Sequence, residues 1–414
     1  MAATDRPTLA PPRIFASTLE LLEELTSISS PSGDTAGLLA AAECLGEAYR
    51  RCGLDVEIRH QPDDGEVPQP VLYARGPAAG TGRYLLVVGH VDTVLPAAVP
   101  ERRGDRLLAT GATDMKGGLA ALAGALELLA ADGESDAGAD LLVAVVPDEE
   151  VGGRLTREVV ESLGGDARGL WCLEPGRTED DGTGEVETMV IGRRGMFQWQ
   201  LDVEGRAAHA GNGYWQGRSA LVAAADWCLR ARALACPGPG PTVNAGRLVA
   251  GESGFVDDLA AGAVLVGTAR QLNVVPDRAR AEGEARFRLA SEGEALRREM
   301  QELAGQVAAE HDVKAVFRHG DPVRPAAVSA ASRRWAGEAT AAAARRGWRL
   351  RVEDDRPGIS FPNFLPAGAG VPAVDGLGPV GGGMHTRDEW VDLRSFDRRI
   401  VLLADLLRAV RPSR

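Results

Sequence analysis

Apolar positions along this chain fall into two kinds of run. Helical spacing marks Ser17–Ile28, a stretch from Asp34 or Thr35 to Arg51, the Ala/Leu-rich Lys116–Ala131, and later segments at Ser219–Leu234, Glu292–His311, Ser329–Arg346 and Ser395–Val410. Ser30-Pro31-Ser32-Gly33 separates the first two, Asp34 or Thr35 offers an N-cap, and Gly53 is a stop signal. Continuous apolar runs of strand length occur at Tyr84–Gly89 and Leu141–Val146, with a shorter one at Leu170–Leu173. Such runs suit interior strands covered on both faces. Leu54–Arg59 and Val71–Arg75 read as further strands, and strand alternating with helix predicts an α/β sheet.

The period changes after Gly192. Met196–Glu204, Thr242–Val249, Ala279–Leu289 and Val313–Arg318 read as strands, and two of the helices fall between them. The resulting order, β-α-β-β-α-β, is that of a ferredoxin-like α+β layer. From about Arg324 the α/β character resumes, with a short strand near Ala373. The pattern predicts a mixed-sheet α/β domain built from residues 1–191 and 321–414, with an α+β domain, residues 192–320, inserted into it.

Composition narrows the function classes. With 414 residues and 44% hydrophobic content, the chain can build a core without disulfides or metals as staples. A net charge of -13 disfavours nucleic acid and anionic membrane as partners. No apolar run approaches the roughly 18 residues of a membrane span. The five cysteines are irregularly spaced, which fits free thiols in a reducing compartment. Met1–Arg13 is polar and Pro-rich without an apolar signal region, so the expected location is the cytoplasm. Nearly all basic residues are Arg, so Lys116, inside a motif, stands out.

Candidate chemistry sits after the apolar strands. His90-Val91-Asp92, Asp114-Met115-Lys116-Gly117-Gly118, Asp148-Glu149-Glu150, Glu174-Pro175-Gly176 and Gly383-Met384-His385 each place a possible metal ligand at a strand end or in a loop. Ligands of open α/β sheets bind beyond the carboxyl ends of the strands. Each segment alone also has a plainer reading: a strand-end histidine, an N-cap aspartate at Asp114, a solvated acidic turn. Together they offer two imidazoles and several carboxylates with no thiolate, which suits Zn²⁺, Co²⁺ or Mn²⁺ in a catalytic site. Gly117-Gly118 weakens a helix start, so something must approach closely there.

In this order, these segments resemble the successive motifs of the M20 metallopeptidases, which include carboxypeptidase G2-like enzymes, acetylornithine deacetylase and succinyl-diaminopimelate desuccinylase. The resemblance runs from about Ser29 to the C-terminus. It implies a zinc-peptidase catalytic domain with a ferredoxin-like lid and dimerisation domain. It also implies two zinc ions, one held by His90 and Glu174, the other by Glu150 and His385, with Asp114 bridging. Glu149 would be the general base, Asp92 would orient His90, and the Asp114-Met115 peptide would be cis.

Val203-Glu204-Gly205-Arg206-Ala207-Ala208-His209-Ala210-Gly211 resembles the family's lid segment, so His209 is expected to reach the partner subunit's active site and stabilise an oxyanion. Asn273 and Arg286 resemble lid positions that grip a substrate carboxylate, with Arg288 a rival. His60, His311 and His319 match nothing and are expected to face solvent. The Gly376–Thr386 run leans towards the carboxypeptidase G2-like branch.

Two features depart from the family. Ser360-Phe361-Pro362-Asn363 replaces Ser-Asp-x-Asn, and residues 252–270 look like extra sequence in the lid. The resemblance implies hydrolysis of an amide bond beside a carboxylate-bearing, glutamate-type unit in a small molecule or short peptide. N-acyl-amino-acid deacylation and dipeptide cleavage are the alternatives, and a non-catalytic, metal-stabilised binding protein is the reading from another class.

Overall fold

The computed structural model describes residues 9–62, 67–80, 83–254, 256 and 273–411. It contains two compact units, one from the residues up to Gly192, Val328–Arg356 and those from Ser360 onward, the other from Arg193–Ala327 and Pro357–Ile359. Most of the extra sequence expected at 252–270 lies outside the described residues.

The first unit opens with α1 (Pro12–Ser27) and α2 (Thr35–Arg51). α1 begins five residues earlier than the apolar spacing suggests, because Pro12 occupies its first turn, where a missing N–H costs nothing. The side chain of Asp34 caps α2 by accepting from the Gly37 N–H. The strands β1 (Asp55–Gln61), β2 (Gln69–Arg75) and β3 (Tyr84–His90) follow, then the short β4 (Glu101–Arg103) and β5 (Arg106–Leu108). Next come α3 (Lys116–Ala131), β6 (Leu141–Val146), α4 (Arg154–Gly164), β7 (Ala167–Cys172), β8 (Thr178–Asp180) and β9 (Glu185–Val190).

The second unit contains β10 (Gly195–Glu204), α5 (Ala220–Arg232), β11 (Thr242–Gly251), β12 (Arg278–Phe287), α6 (Ala290–His311) and β13 (Lys314–His319). Its sheet order is β11-β12-β10-β13, antiparallel throughout, which is the ferredoxin-like arrangement anticipated from the element order. Alternate residues of β10, such as Phe197, Trp199, Leu201 and Val203, enter a core closed by Trp227 of α5 and Met300 of α6.

The chain then returns to the first unit with α7 (Ala330–Arg345), β14 (Leu350–Glu353), β15 (Ala373–Val374), β16 (Gly381–Gly382), β17 (Trp390–Asp392) and α8 (Leu393–Ala409). Its main sheet is mixed, in the order β1-β2-β6-β3-β7-β15. β3 lies between β6 and β7 and is parallel to both, while β2 meets β6 antiparallel. The central strands β3 and β6 are almost entirely buried, as two-sided cover requires. α3 is buried nearly all round and packs against α1 and α8. The small sheets β14-β9-β8 and β16-β17-β5-β4 were not legible in the apolar pattern, because their strands are short and mixed in polarity.

Among the described residues, no helix is long and apolar enough to cross a membrane. All five cysteines are free.

Candidate metal centre

Because β3, β6 and β7 are parallel neighbours, their carboxyl ends open on one edge of the sheet. His90 ends β3, the Asp148-Glu149-Glu150 turn follows β6, and Glu174 follows β7. β15 lies beside β7 and leads into the Gly-rich segment that carries His385. Asp114 stands just before α3, in the crossover from β3 to β6.

Two groups of donor atoms result, His90–Asp114–Glu174 and Asp114–Glu150–His385, each with its ligand atoms within 4.8 Å of one another. His90 Nε2 is 3.3 Å from Asp114 Oδ1 and 3.7 Å from Glu174 Oε1. His385 Nε2 is 3.4 Å from the other Asp114 oxygen, Oδ2, and 3.2 Å from Glu150 Oε2. Asp114 therefore turns one oxygen to each group. The peptide between Asp114 and Met115 is cis, as the family resemblance implied.

The surroundings dictate what this cluster can hold. Burial, with Asp114 and Glu149 near, pushes the Glu174 carboxyl well above its usual range. Burial raises Glu150 to about 7, with Asp114 and Glu149 adding to the effect. Burial also disfavours the charged form of Asp114, but hydrogen bonds from His385 and His90 outweigh it and hold that carboxyl below the ordinary range. His385 is raised to about 9, first by its hydrogen bond to Asp114. So many carboxylates on two imidazoles, with no thiolate, form a donor set that fits a pair of divalent cations.

The chain around the ligands is fixed by hydrogen bonds. His90 Nδ1 lies 3.0 Å from the Asp92 carbonyl oxygen and 3.3 Å from Asp92 Oδ1, an arrangement that puts the ring proton on Nδ1 and leaves Nε2 for ligation. The buried Asp92 carboxylate also accepts from the Glu149 N–H at 3.2 Å, the Glu150 N–H at 3.1 Å and the Ser32 hydroxyl at 2.8 Å. It thus sets both the histidine and the acidic turn.

Asp148 is not part of the cluster. It accepts from the Leu155 and Thr156 N–H groups at 2.7 and 3.0 Å and caps the first turn of α4. Lys116 also turns away; its ammonium donates to the Leu25 and Ile28 carbonyls at 3.0 and 2.9 Å, joining α3 to the end of α1. The close approach anticipated at Gly117-Gly118 is by backbone. A Cβ on Gly118 would stand 2.2 Å from the Leu173 carbonyl oxygen, and one on Gly117 2.4 Å from that of Ala112.

Two residues near the centre escaped the sequence reading. Ser32 appeared there only as a helix breaker. Glu389 gave no signal beyond lying four residues after His385; buried, it accepts from three backbone N–H groups of the Asp114 loop. Phe361 is fully buried core.

The remaining candidates belong to the second unit. His209 and Asn273 are neighbours, with Asn273 Nδ2 3.3 Å from His209 Nε2, while the Gly211 and Asn212 N–H groups point to His209 Nδ1 at 3.0 and 3.2 Å. The Arg286 guanidinium is held by Glu284 at 2.7 Å and by the Pro357 carbonyl at 2.5 Å. Contrary to expectation, His311 does not simply face solvent; it is half-buried against Asp226 at 3.0 Å.

The sequence profile of peptidase family M20/M25/M40 matches residues 86–409, a span that includes all five ligand candidates. The chain belongs to this family. It is a hydrolase acting on amide C–N bonds, which removes the non-catalytic binding protein from consideration. Carboxypeptidase G2 of Pseudomonas sp. (strain RS-16) is 27% identical over 400 residues, covering 94% of this chain and 88% of that enzyme. Succinyl-diaminopimelate desuccinylase of Delftia acidovorans is 34% identical over 207 residues, 46% of this chain and 51% of that enzyme.

Among solved structures, aminopeptidase PepT of Bacillus cereus shares the M20 fold with a TM-score of 0.75 at 20% identity, covering 96% of this chain and 99% of that one. The YXEP protein of Bacillus subtilis, described as a dinuclear metal binding peptidase of family M20, superposes with a TM-score of 0.65 at 16% identity, covering 97% and 98%.

Proposed function

We propose that this M20 hydrolase is a two-zinc carboxypeptidase that cleaves the amide bond joining an acyl group to a C-terminal, glutamate-type amino acid. The observation that carries this reading is the pair of donor groups sharing Asp114, one oxygen to each, with Glu149 on the adjoining turn. His90, Glu174 and Asp114 would hold one ion, and Glu150, His385 and Asp114 the other; Co²⁺ or Mn²⁺ suits the same donors. Ions bound there supply Lewis acidity and lower the pKa of water towards 7.

The chain's own groups perform the remaining work. Glu149 takes the proton of the attacking water and delivers it to the leaving amine nitrogen, a role worth about 10²–10⁴-fold in rate. Asp92 keeps His90 in the ligating tautomer. His209, with Asn273 beside it, donates to the carbonyl oxygen as charge develops there. Arg286, released from Glu284, binds the substrate carboxylate through its two-pronged guanidinium.

His209 and its neighbours would act across a homodimer formed by the inserted 192–320 segment. Support comes from α5, whose Leu221, Val222 and Leu229 are 40%, 53% and 66% exposed, and from β11, whose outer edge has no strand partner among the described residues. The five free thiols support a reducing, cytoplasmic setting.

The similarity to carboxypeptidase G2 across nearly the whole chain favours the glutamate-type substrate. The match to a desuccinylase favours a second reading, removal of an N-acyl group from an amino acid. A substrate panel decides. Metal-loaded protein is offered acyl- and folyl-glutamates, N-acetyl-ornithine, N-succinyl-diaminopimelate and dipeptides. The first reading expects the highest kcat/KM on the glutamates, and preference for an N-acyl diamino acid would replace it with the second.

A further inference from the structure

Residues 109–114, the segment that delivers the bridging aspartate, have no regular structure of their own to fix them. They are held instead from β17 and the residue before it. The Ala109 N–H donates to the Glu389 carbonyl oxygen at 3.1 Å. The Glu389 carboxylate accepts from the Gly111 N–H on Oε2 at 2.8 Å, and on Oε1 from the Thr113 and Asp114 N–H groups at 2.9 and 3.0 Å. The Thr113 hydroxyl donates to the Trp390 carbonyl oxygen at 2.6 Å.

Glu389 itself is 3% exposed, and the Asp114 contact spans 275 positions of the chain. Glu389 directly follows the turn that presents His385, which the Thr386 N–H closes onto the Gly383 carbonyl oxygen at 3.1 Å. There Gly383 and His385 both have positive φ, 69° and 64°, and a Cβ on Gly383 would meet the Asp388 carbonyl oxygen at 2.4 Å. One buried side chain, carried on the segment that follows His385, thus ties down the loop of Asp114, whose Oδ2 lies 3.4 Å from His385 Nε2.

We infer that Glu389 is a positioning residue for the metal centre, locking the backbone of Asp114 in register with the His385 loop so that the shared carboxylate is preorganised for both ions. The inference rests on the two-metal reading above. Both Glu389 oxygens are engaged by N–H donors, so an amide at this position turns its NH₂ towards at least one of them, and donor meets donor. Because Asp114 serves both donor groups, loosening it weakens both. Outer partners of metal ligands typically contribute about 10–100-fold to affinity.

The test compares the full-length wild type with Glu389→Gln and Glu389→Asp after chelator stripping. Zn²⁺ affinity is read by competition with a chromophoric chelator, and the thermal midpoint of the stripped protein is read separately. The expected result is a loss of about 10–100-fold in affinity at both sites, alongside a lowered but still cooperative stripped midpoint for Glu389→Gln from its buried donor–donor contact. Glu389→Asp keeps the charge but shortens the reach and should lose affinity likewise; it is the variant to read if the amide fails to fold. Wild-type affinity in a folded variant overturns the inference, as does a lowered stripped midpoint with unchanged affinity, which assigns Glu389 to the fold alone. Wild-type protein that takes up no metal overturns the two-metal reading first, and this inference with it.

Discussion

Glu149 and Glu150 are neighbours in the chain; Glu150 Oε2 lies 3.2 Å from His385 Nε2, and the Asp92 carboxylate accepts both of their N–H groups. In the proposed mechanism Glu150 is the ligand and Glu149 the base. Glu149→Gln should therefore retain both ions by elemental analysis while kcat falls by about 10²–10⁴-fold or more. Near-normal turnover would remove the residue from the mechanism.

Lys116 illustrates the opposite case. It lies in the most recognisable motif of the chain but works as a strut between α3 and α1. Burial lowers its pKa from 10.5 to about 8. The unfolded chain then binds the proton more tightly, so this group's penalty on stability is complete below about pH 8 and disappears as pH rises through 10.5. In metal-free protein, the stability of wild type relative to Lys116→Met should increase over that interval, as measured by urea unfolding; a flat difference would show that the ammonium is not penalised.

At the scale of elements, the legible parts were those with a strong period. β3, β6 and α3 announced themselves because full burial demands unbroken apolar runs. The four strands of the second unit were found for the complementary reason: β10 alternates, with one side in the core and the other bearing Gln198, Gln200 and Asp202. The small sheets were missed since most of their strands run only two to four residues, and the six-residue β9 mixes polar with apolar positions. Gly118 shows how an element is seated by one hydrogen atom. In Gly118→Ala the new methyl collides with the Leu173 carbonyl, one residue before Glu174, so α3 and β7 must separate. A loss of about 1–3 kcal/mol is expected from such overpacking, together with weakened metal retention. A fully stable variant that strips of metal as slowly as wild type would contradict this seating.

For the molecule as a whole, the proposed dimer makes the α5 stripe and the β11 edge functional. Leu229→Glu should give monomers by light scattering and abolish turnover while each subunit still binds metal. Mixing inactive Glu149→Gln with inactive His209→Ala should restore activity, because the heterodimer assembles one complete site from two defective chains. Active monomers, or a mixture as dead as its parts, would exclude catalysis across subunits.

By itself the sequence determined the fold class, the family and the residue types of the candidate metal centre. Burial periodicity and donor chemistry are properties of single positions and short windows, and they are written where they act. Only the tertiary structure decided which neighbours of those motifs matter. It turned Asp148 into a helix cap and Lys116 into a strut, and it brought Glu389 to the Asp114 loop and Ser32 to Asp92. These are contacts between residues distant in the chain. They arise from how strands align at one edge of a sheet, and no local pattern encodes that alignment.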